Sequence, residues 1–210
     1  MRFKIKTAVM PIFIINIAFF ILQISLGNRF TESFMLVSSD IFSRPWIILT
    51  YMFLHGGIYH LLLNMYVLLM FGNLLEQRIG TKRFLLIYFI SGIIAALLSS
   101  LFYARALGAS GAIAGILGVL IILMPELQIL LFFVAPVPLW MFGIIYVLIE
   151  TFGTFVPSGI GHIAHLVGLG CGLLYGLHLK KEKRKYYRKL YSKKHLEEGD
   201  IDEYLRTGRI

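Results

Sequence analysis

Six blocks of apolar residues, separated by short polar breaks, constrain this chain more than any other feature: residues 8–26, 58–75, 84–101, 110–124, 138–150 and 161–179. A helix needs about 20 mostly apolar residues to cross the hydrocarbon core of a bilayer, and only helices or closed barrels satisfy their backbone polar groups there. The apolar residues form blocks rather than the alternating rhythm of a soluble helix, with 58% of the chain hydrophobic and 15% charged. The expectation is an all-α integral membrane protein, a bundle of six transmembrane helices. No polar stretch is long enough for a separate soluble domain. The chain therefore divides into one membrane domain, 1–179, and a basic tail, 180–210. Arg2, Lys4 and Lys6 ahead of the first block resemble the start of a signal peptide. That block is long for a signal core, so it is expected to stay as the first span. Pro136 and Pro138 interrupt the stretch after Glu126, and because proline is tolerated at a helix start, the fifth span is expected to begin near Pro138.

With six spans both termini lie on one side. Arg2, Lys4, Lys6, Arg78, Lys82, Arg83 and the 11 cations of the tail fall together, leaving Arg29, Arg44 and Arg105 opposite. The positive-inside rule makes both ends cytoplasmic in a cell membrane. The net charge of +9 is thereby assigned to topology and anionic lipid headgroups, and nucleic acid is excluded as a partner. The single cysteine, Cys171, lies in an apolar block and allows no intramolecular disulfide.

Chemistry enters at Gly108-Ala109-Ser110-Gly111, where one serine heads an apolar run. A serine hydroxyl is a weak nucleophile unless a base and an oxyanion-stabilising group lie nearby, and the candidates are His165, His60 and Asn64. The bland alternative is that small-xxx-small spacing lets membrane helices pack closely, with Asn64 and His60 as interhelical glue and Ser110 bonded to its own helix. Spans two, four and six all run from outside to inside, so depths can be compared. At about 1.5 Å rise per residue, Ser110 and His165 both sit roughly 21 Å above the inner boundary. His60 and Asn64 fall at similar depth, which suggests one shared polar site opening to the outer face. His165, Gly168, Gly172 and Gly176 share one face of span six. Ser110, Gly111, Ala114, Gly115 and Gly118 form a small face on span four. Close packing of the two would bring serine and imidazole together as a dyad. His162, nearer the outer surface, is expected at the mouth of the cavity, touching loop or water.

At these residues the chain resembles the rhomboid family of intramembrane serine proteases, over roughly 46–176. The resemblance rests on His60-x-x-x-Asn64, Gly108-x-Ser110-Gly111, His165 with its following glycines, His55 upstream, and Glu76-x-x-x-Gly80. It implies a six-helix rhomboid-like bundle, with Ser110 as nucleophile and His165 as general base and then acid. It also implies an oxyanion hole from His60, Asn64 and the backbone N–H of Ser110, with Gly111, Gly168 and Gly172 supporting helix packing. The substrates would be membrane proteins cut in or near the outer end of a transmembrane segment, with residues 151–160 and span five as the movable lid and no cofactor or metal. Two positions depart from the family pattern. Trp46 is followed by Ile47 where many members have arginine. Ala114 stands where several carry an aromatic ring stacked on the catalytic histidine, so something else must orient His165. Two rival classes are a catalytically inactive relative that binds membrane clients, and a transporter or metal channel using His55, His60, His162 and His165. The second lacks any carboxylate in spans two, four or six.

Overall fold

The computed structural model describes residues 7–131, 134–191 and 198–208. Arg2, Lys4, Lys6, Lys193, Lys194 and Arg209, used above to orient the chain, lie outside the described residues. Among the described residues, four helices are long and apolar enough to cross a membrane: α1 (Val9–Leu26), α3 (Ile58–Ile79), α4 (Thr81–Ser99) and the His162–Lys185 part of α7 (His162–Tyr191). A short α2 (Asn28–Phe34) follows α1. Two further apolar helices, α5 (Ser110–Leu123) and α6 (Leu139–Gly153), have 14 and 15 residues. They rise only about 21 to 22 Å against a hydrocarbon core of about 30 Å.

All six apolar blocks are thus helical, but several boundaries move. Helix α3 continues past residue 75 to Ile79 through a π turn at Leu68–Gly72. Helix α6 extends to Gly153, which places Glu150 inside its last turn. Helix α7 runs on beyond 179 because Lys, Glu and Arg are good helix formers and nothing in that stretch breaks the pattern. The tail returns as α8 (Glu198–Thr207), where Arg83 donates to the Leu205 carbonyl at 3.2 Å and pairs with Glu182 at 3.2 Å. Between α5 and α6 the proline-broken stretch forms an antiparallel hairpin, β3 (Gln128–Leu131) with β4 (Ala135–Pro138). A two-stranded ribbon has only edges, where proline is tolerated.

The segment between α1 and α3 is tied down despite Ile47. Strand β1 (Leu36–Val37) pairs with β2 (Arg105–Ala106). Arg44 donates to the Glu32 carbonyl at 2.8 Å and pairs with Asp40 at 2.5 Å. The Ser39 hydroxyl and then the Arg44 guanidinium hold the Asp40 carboxyl below its usual range. Trp46 Nε1 donates to the Ser33 carbonyl at 3.1 Å and Thr50 Oγ1 to that of Phe34 at 2.7 Å. Arg44, two residues before Trp46, therefore supplies the polar anchor that position 47 lacks.

Helix α5 is the most enclosed element, with every residue from Gly111 to Leu120 buried. A methyl group on Gly168 would overlap the Gly111 carbonyl, one on Gly172 the Gly115 carbonyl, and one on Gly118 the Leu169 carbonyl. Backbone meets backbone, as small-residue faces allow. The paired positions rise together along both helices, so α5 and α7 run parallel. On its other side α5 packs on α4, where a Cβ at Gly111 would lie 2.9 Å from the Ala95 Cβ. At the opposite end of the bundle, Glu76 is 5% exposed. It accepts the N–H groups of Ala8 at 2.8 Å and Val9 at 3.2 Å, and the Thr81 hydroxyl at 2.7 Å. Those are orphan donors at the start of α1, so Glu76 serves as that helix's cap from another part of the chain.

Candidate active site

Ser110 is the first residue of α5, two residues after a backbone conformation that favours glycine. Gly108 has φ +128°, and a Cβ there would lie 2.9 Å from His60 Cε1. The Gly108 N–H donates to the Tyr51 carbonyl at 2.9 Å, while the Tyr51 hydroxyl donates to the Gly92 carbonyl at 2.7 Å. Tyr51 thereby locks the loop that presents the serine onto α4. Ala109 offers no side-chain cap, so the first N–H groups of α5 lack intrahelical partners and carry the positive end of the helix dipole.

His165 sits in the first turn of α7, and its Nε2 is 2.7 Å from Ser110 Oγ. The glycine contacts make this possible, because they seat the two helix backbones against each other one turn below the pair. His60 is oriented by its own loop: its Nδ1 accepts the Gly56 N–H at 3.3 Å, which leaves Nε2 as the protonated nitrogen. That Nε2–H faces the serine loop, since the point a Cβ of Gly108 would occupy is 3.1 Å from His60 Nε2 and 3.7 Å from Ser110 Oγ. The His55 ring packs edge-on against His60 with centroids 5.1 Å apart, and Gln23 brackets the His55 backbone at 2.9 and 3.2 Å. Asn64 is buried and donates one N–H to the His60 carbonyl at 2.9 Å. The structure therefore brings Ser110, His165 and His60 together, seated by Gly111, Gly168 and Gly172, while the Asn64 bond described here goes to its own helix.

Glu150, on α6, is not legible in the sequence as a site residue, because it ends the fifth apolar block, which carries none of Ser110, His165, His60 and Asn64. Its Oε2 lies 3.0 Å from His165 Nδ1, close enough for charge attraction though off the line of a good hydrogen bond. The same oxygen is 2.6 Å from His162 Nδ1. His162 Nε2 is in turn 2.9 Å from Ser158 Oγ, which accepts the Ile160 N–H at 3.3 Å. His162 does contact the loop, as expected, but it is buried rather than at a cavity mouth. The signal that could have found Glu150 is its position at the end of an apolar block, where an ionisable residue points to function by default.

Ligand atoms of Glu150, His162 and His165 all lie within 4.8 Å of one another, as a metal site would require. The 2.6 Å separation is that of a shared proton and the 3.0 Å one that of a charge contact. Ligands on a tetrahedral zinc, at about 2.0 Å from the metal, stand roughly 3.3 Å apart. The arrangement as it stands suits proton transfer: a serine hydroxyl on an imidazole, that imidazole beside a carboxylate, and a second imidazole presenting an N–H toward the serine loop.

Comparison with known proteins agrees in kind. Residues 43–182 match the family model of the Rhomboid domain. Rhomboid protein 1, mitochondrial, of Saccharomyces cerevisiae is 35% identical over 193 residues, covering 86% of this chain and 55% of that protein. The rhomboid-named YdcA of Bacillus subtilis is 35% identical over 150 residues, 67% of this chain and 71% of its own length. Rhomboid-like protease 3 of Toxoplasma gondii is 47% identical over 75 residues, 35% of this chain and 28% of that one. The chain spans about half the length of the yeast relative, and a smaller share of the Toxoplasma one.

Proposed function

We propose that this chain, which belongs to the rhomboid family, is an intramembrane serine endopeptidase that cleaves other membrane proteins in or near the outer end of a transmembrane segment. The observation that carries the reading is the 2.7 Å approach of Ser110 Oγ to His165 Nε2. In this reading Ser110 Oγ attacks the scissile carbonyl carbon as its proton passes to His165 Nε2. The tetrahedral oxyanion is met by the His60 Nε2–H, the Ser110 backbone N–H and the Asn64 amide turned toward it. The C–N bond then breaks as His165 returns the proton to the leaving amine. Water, deprotonated by the same imidazole, hydrolyses the acyl-serine and restores the enzyme.

The proposed architecture is six crossings over 1–179 with a basic cytoplasmic tail at 180–210. The short α5 and α6 fit a crossing whose outer part is a water-filled cavity, because the helix that carries Ser110 then begins below the outer surface. Water and an extended strand can reach the serine there, which unbroken hydrocarbon forbids. Both termini would face the cytoplasm in a cell membrane, or the corresponding compartment in an organelle such as the one named for the yeast relative. A fluorophosphonate tests the reading: it should label wild-type protein on Ser110, and Ser110→Ala should fold, insert and leave a single-span substrate uncut. Labelling confined to another residue sinks the assignment. A wild type that binds the single-span protein without labelling or cutting identifies the client-binding alternative.

A further inference from the structure

We propose that Glu150 is a positioning residue for the dyad, holding His165 as the Nδ1–H tautomer so that Nε2 stays free to take the serine proton. The inference rests on the protease reading and addresses what orients this imidazole where Ala114 offers no aromatic ring to stack on it.

The partners of the two imidazoles favour one assignment of their protons. Ser158 Oγ accepts the Ile160 N–H, so its own proton is available to His162 Nε2 at 2.9 Å. With Nε2 accepting, neutral His162 carries its proton on Nδ1 and donates it to Glu150 Oε2 at 2.6 Å. The second imidazole nitrogen near that oxygen is His165 Nδ1, at 3.0 Å. That contact is off the line of a hydrogen bond, but the carboxylate charge attracts a proton on Nδ1 and repels a bare lone pair there, which favours the Nδ1–H tautomer. His165 Nε2 is then bare and faces Ser110 Oγ at 2.7 Å. One ionised carboxylate thus serves two neutral imidazoles. Glu150 is buried, as such a charge must be if it is to act on an adjacent ring without being screened by water. His162 and Ser158 brace the carboxylate from the loop side and fix the direction in which it points.

Replacing the carboxylate by an amide makes a specific prediction. In Glu150→Gln, an NH2 standing where Oε2 stands faces both imidazoles: it donates one hydrogen to His162 Nδ1, whose own proton moves to Nε2 and goes to Ser158 Oγ, and its other hydrogen to His165 Nδ1. The His165 ring proton is thereby forced onto Nε2, where it blocks proton transfer from the serine. An orienting carboxylate swapped for its amide in a serine protease lowers kcat by about 10⁴ through this wrong tautomer. The expected result here is a fall in kcat on the order of 10³- to 10⁴-fold with KM within two-fold of wild type. The second readout is the ¹⁵N spectrum of histidine-labelled protein in micelles at pH 8, with the His165 signals identified by their loss in His165→Ala. Wild type should show His165 protonated on Nδ1, and Glu150→Gln should show it protonated on Nε2. A purely structural Glu150 would leave the tautomer unchanged. The proposal is overturned if wild-type His165 carries its proton on Nε2, or if Glu150→Gln keeps a third or more of wild-type kcat. Should that variant not fold, the wild-type spectrum alone decides. If wild type neither cuts nor labels at Ser110, the protease reading fails separately, and an Nδ1–H signal at His165 still upholds the positioning role.

Discussion

Gly170 and Gly172 lie two residues apart on α7 and should respond oppositely to the same added methyl group. In Gly172→Ala the new Cβ overlaps the Gly115 carbonyl and comes within 3.0 Å of the Gly115 Cα, both backbone atoms that no side-chain rotation can clear. In Gly170→Ala nothing lies within 4 Å of the new group. Both variants gain about 0.5 to 1 kcal/mol from alanine's better fit to a helix interior. Overpacking at 172 costs typically about 1 to 3 kcal/mol, and contact with unyielding backbone favours the upper part of that range. The two should therefore differ by about 2 kcal/mol or more, with Gly170→Ala at or above wild type. For a chain of this size that corresponds to a separation on the order of 4–8 °C in melting temperature. The same displacement would push α7 from α5 and lengthen the contact between Ser110 and His165, so fluorophosphonate labelling at Ser110 should fall in Gly172→Ala and persist in Gly170→Ala. Thermal denaturation in a mild detergent, followed by static light scattering, reads the first effect; gel-based labelling reads the second. Equal melting temperatures would refute the idea that backbone contact seats the dyad.

Other substitutions test separate parts of the molecule. His60→Ala should lower kcat with little change in KM, by about 2.7 to 4 kcal/mol of barrier, as expected for a donor acting on charge that develops in the transition state. Asn64→Ala should do the same if its amide turns toward the oxyanion; a rise in KM alone would leave it as a helix-bound packing residue. His165→Ala should abolish both cleavage and labelling, whereas His162→Ala should retain measurable activity because Glu150 still faces His165; the reverse pattern in one cleavage assay would exchange their roles. Glu76→Ala strands the Ala8 and Val9 donors, and at about 1 to 3 kcal/mol for a buried unsatisfied group it should lower the melting temperature without altering labelling rates in protein that remains folded.

The apolar blocks made the helices legible because block length and composition are local properties. The contact between α5 and α7 was legible for a related reason: the small residues of each recur at three- and four-residue steps, so each helix declares its own interface. Ends are harder to read, since α3 and α7 continue into polar sequence that forms helix readily, so polarity alone does not mark a stop. Glu150 escaped because its role depends on the rotation of α6 about its axis, and an apolar helix without a small-residue face does not reveal which side it turns inward. Asn64 illustrates a further limit: residue type and depth mark it as a candidate, but an amide with two donors and an acceptor can bond to its own helix as readily as to a substrate.

The cap that Glu76 places on α1 bears on the order of biogenesis. Helix α1 is made before α3, and the carboxylate that satisfies its leading N–H groups lies 68 residues later in the chain. Until α3 is complete as far as Glu76, the leading N–H groups of α1 lack the carboxylate that caps them in the finished bundle. Closure of that corner then couples three events: completion of α3, the left-handed turn at Gly80 with φ +80°, and the arrival of Thr81 at the head of α4, whose hydroxyl shares the same carboxylate. One carboxylate thereby latches the start of α1, the end of α3 and the head of α4, all of which precede the serine of α5 in the chain.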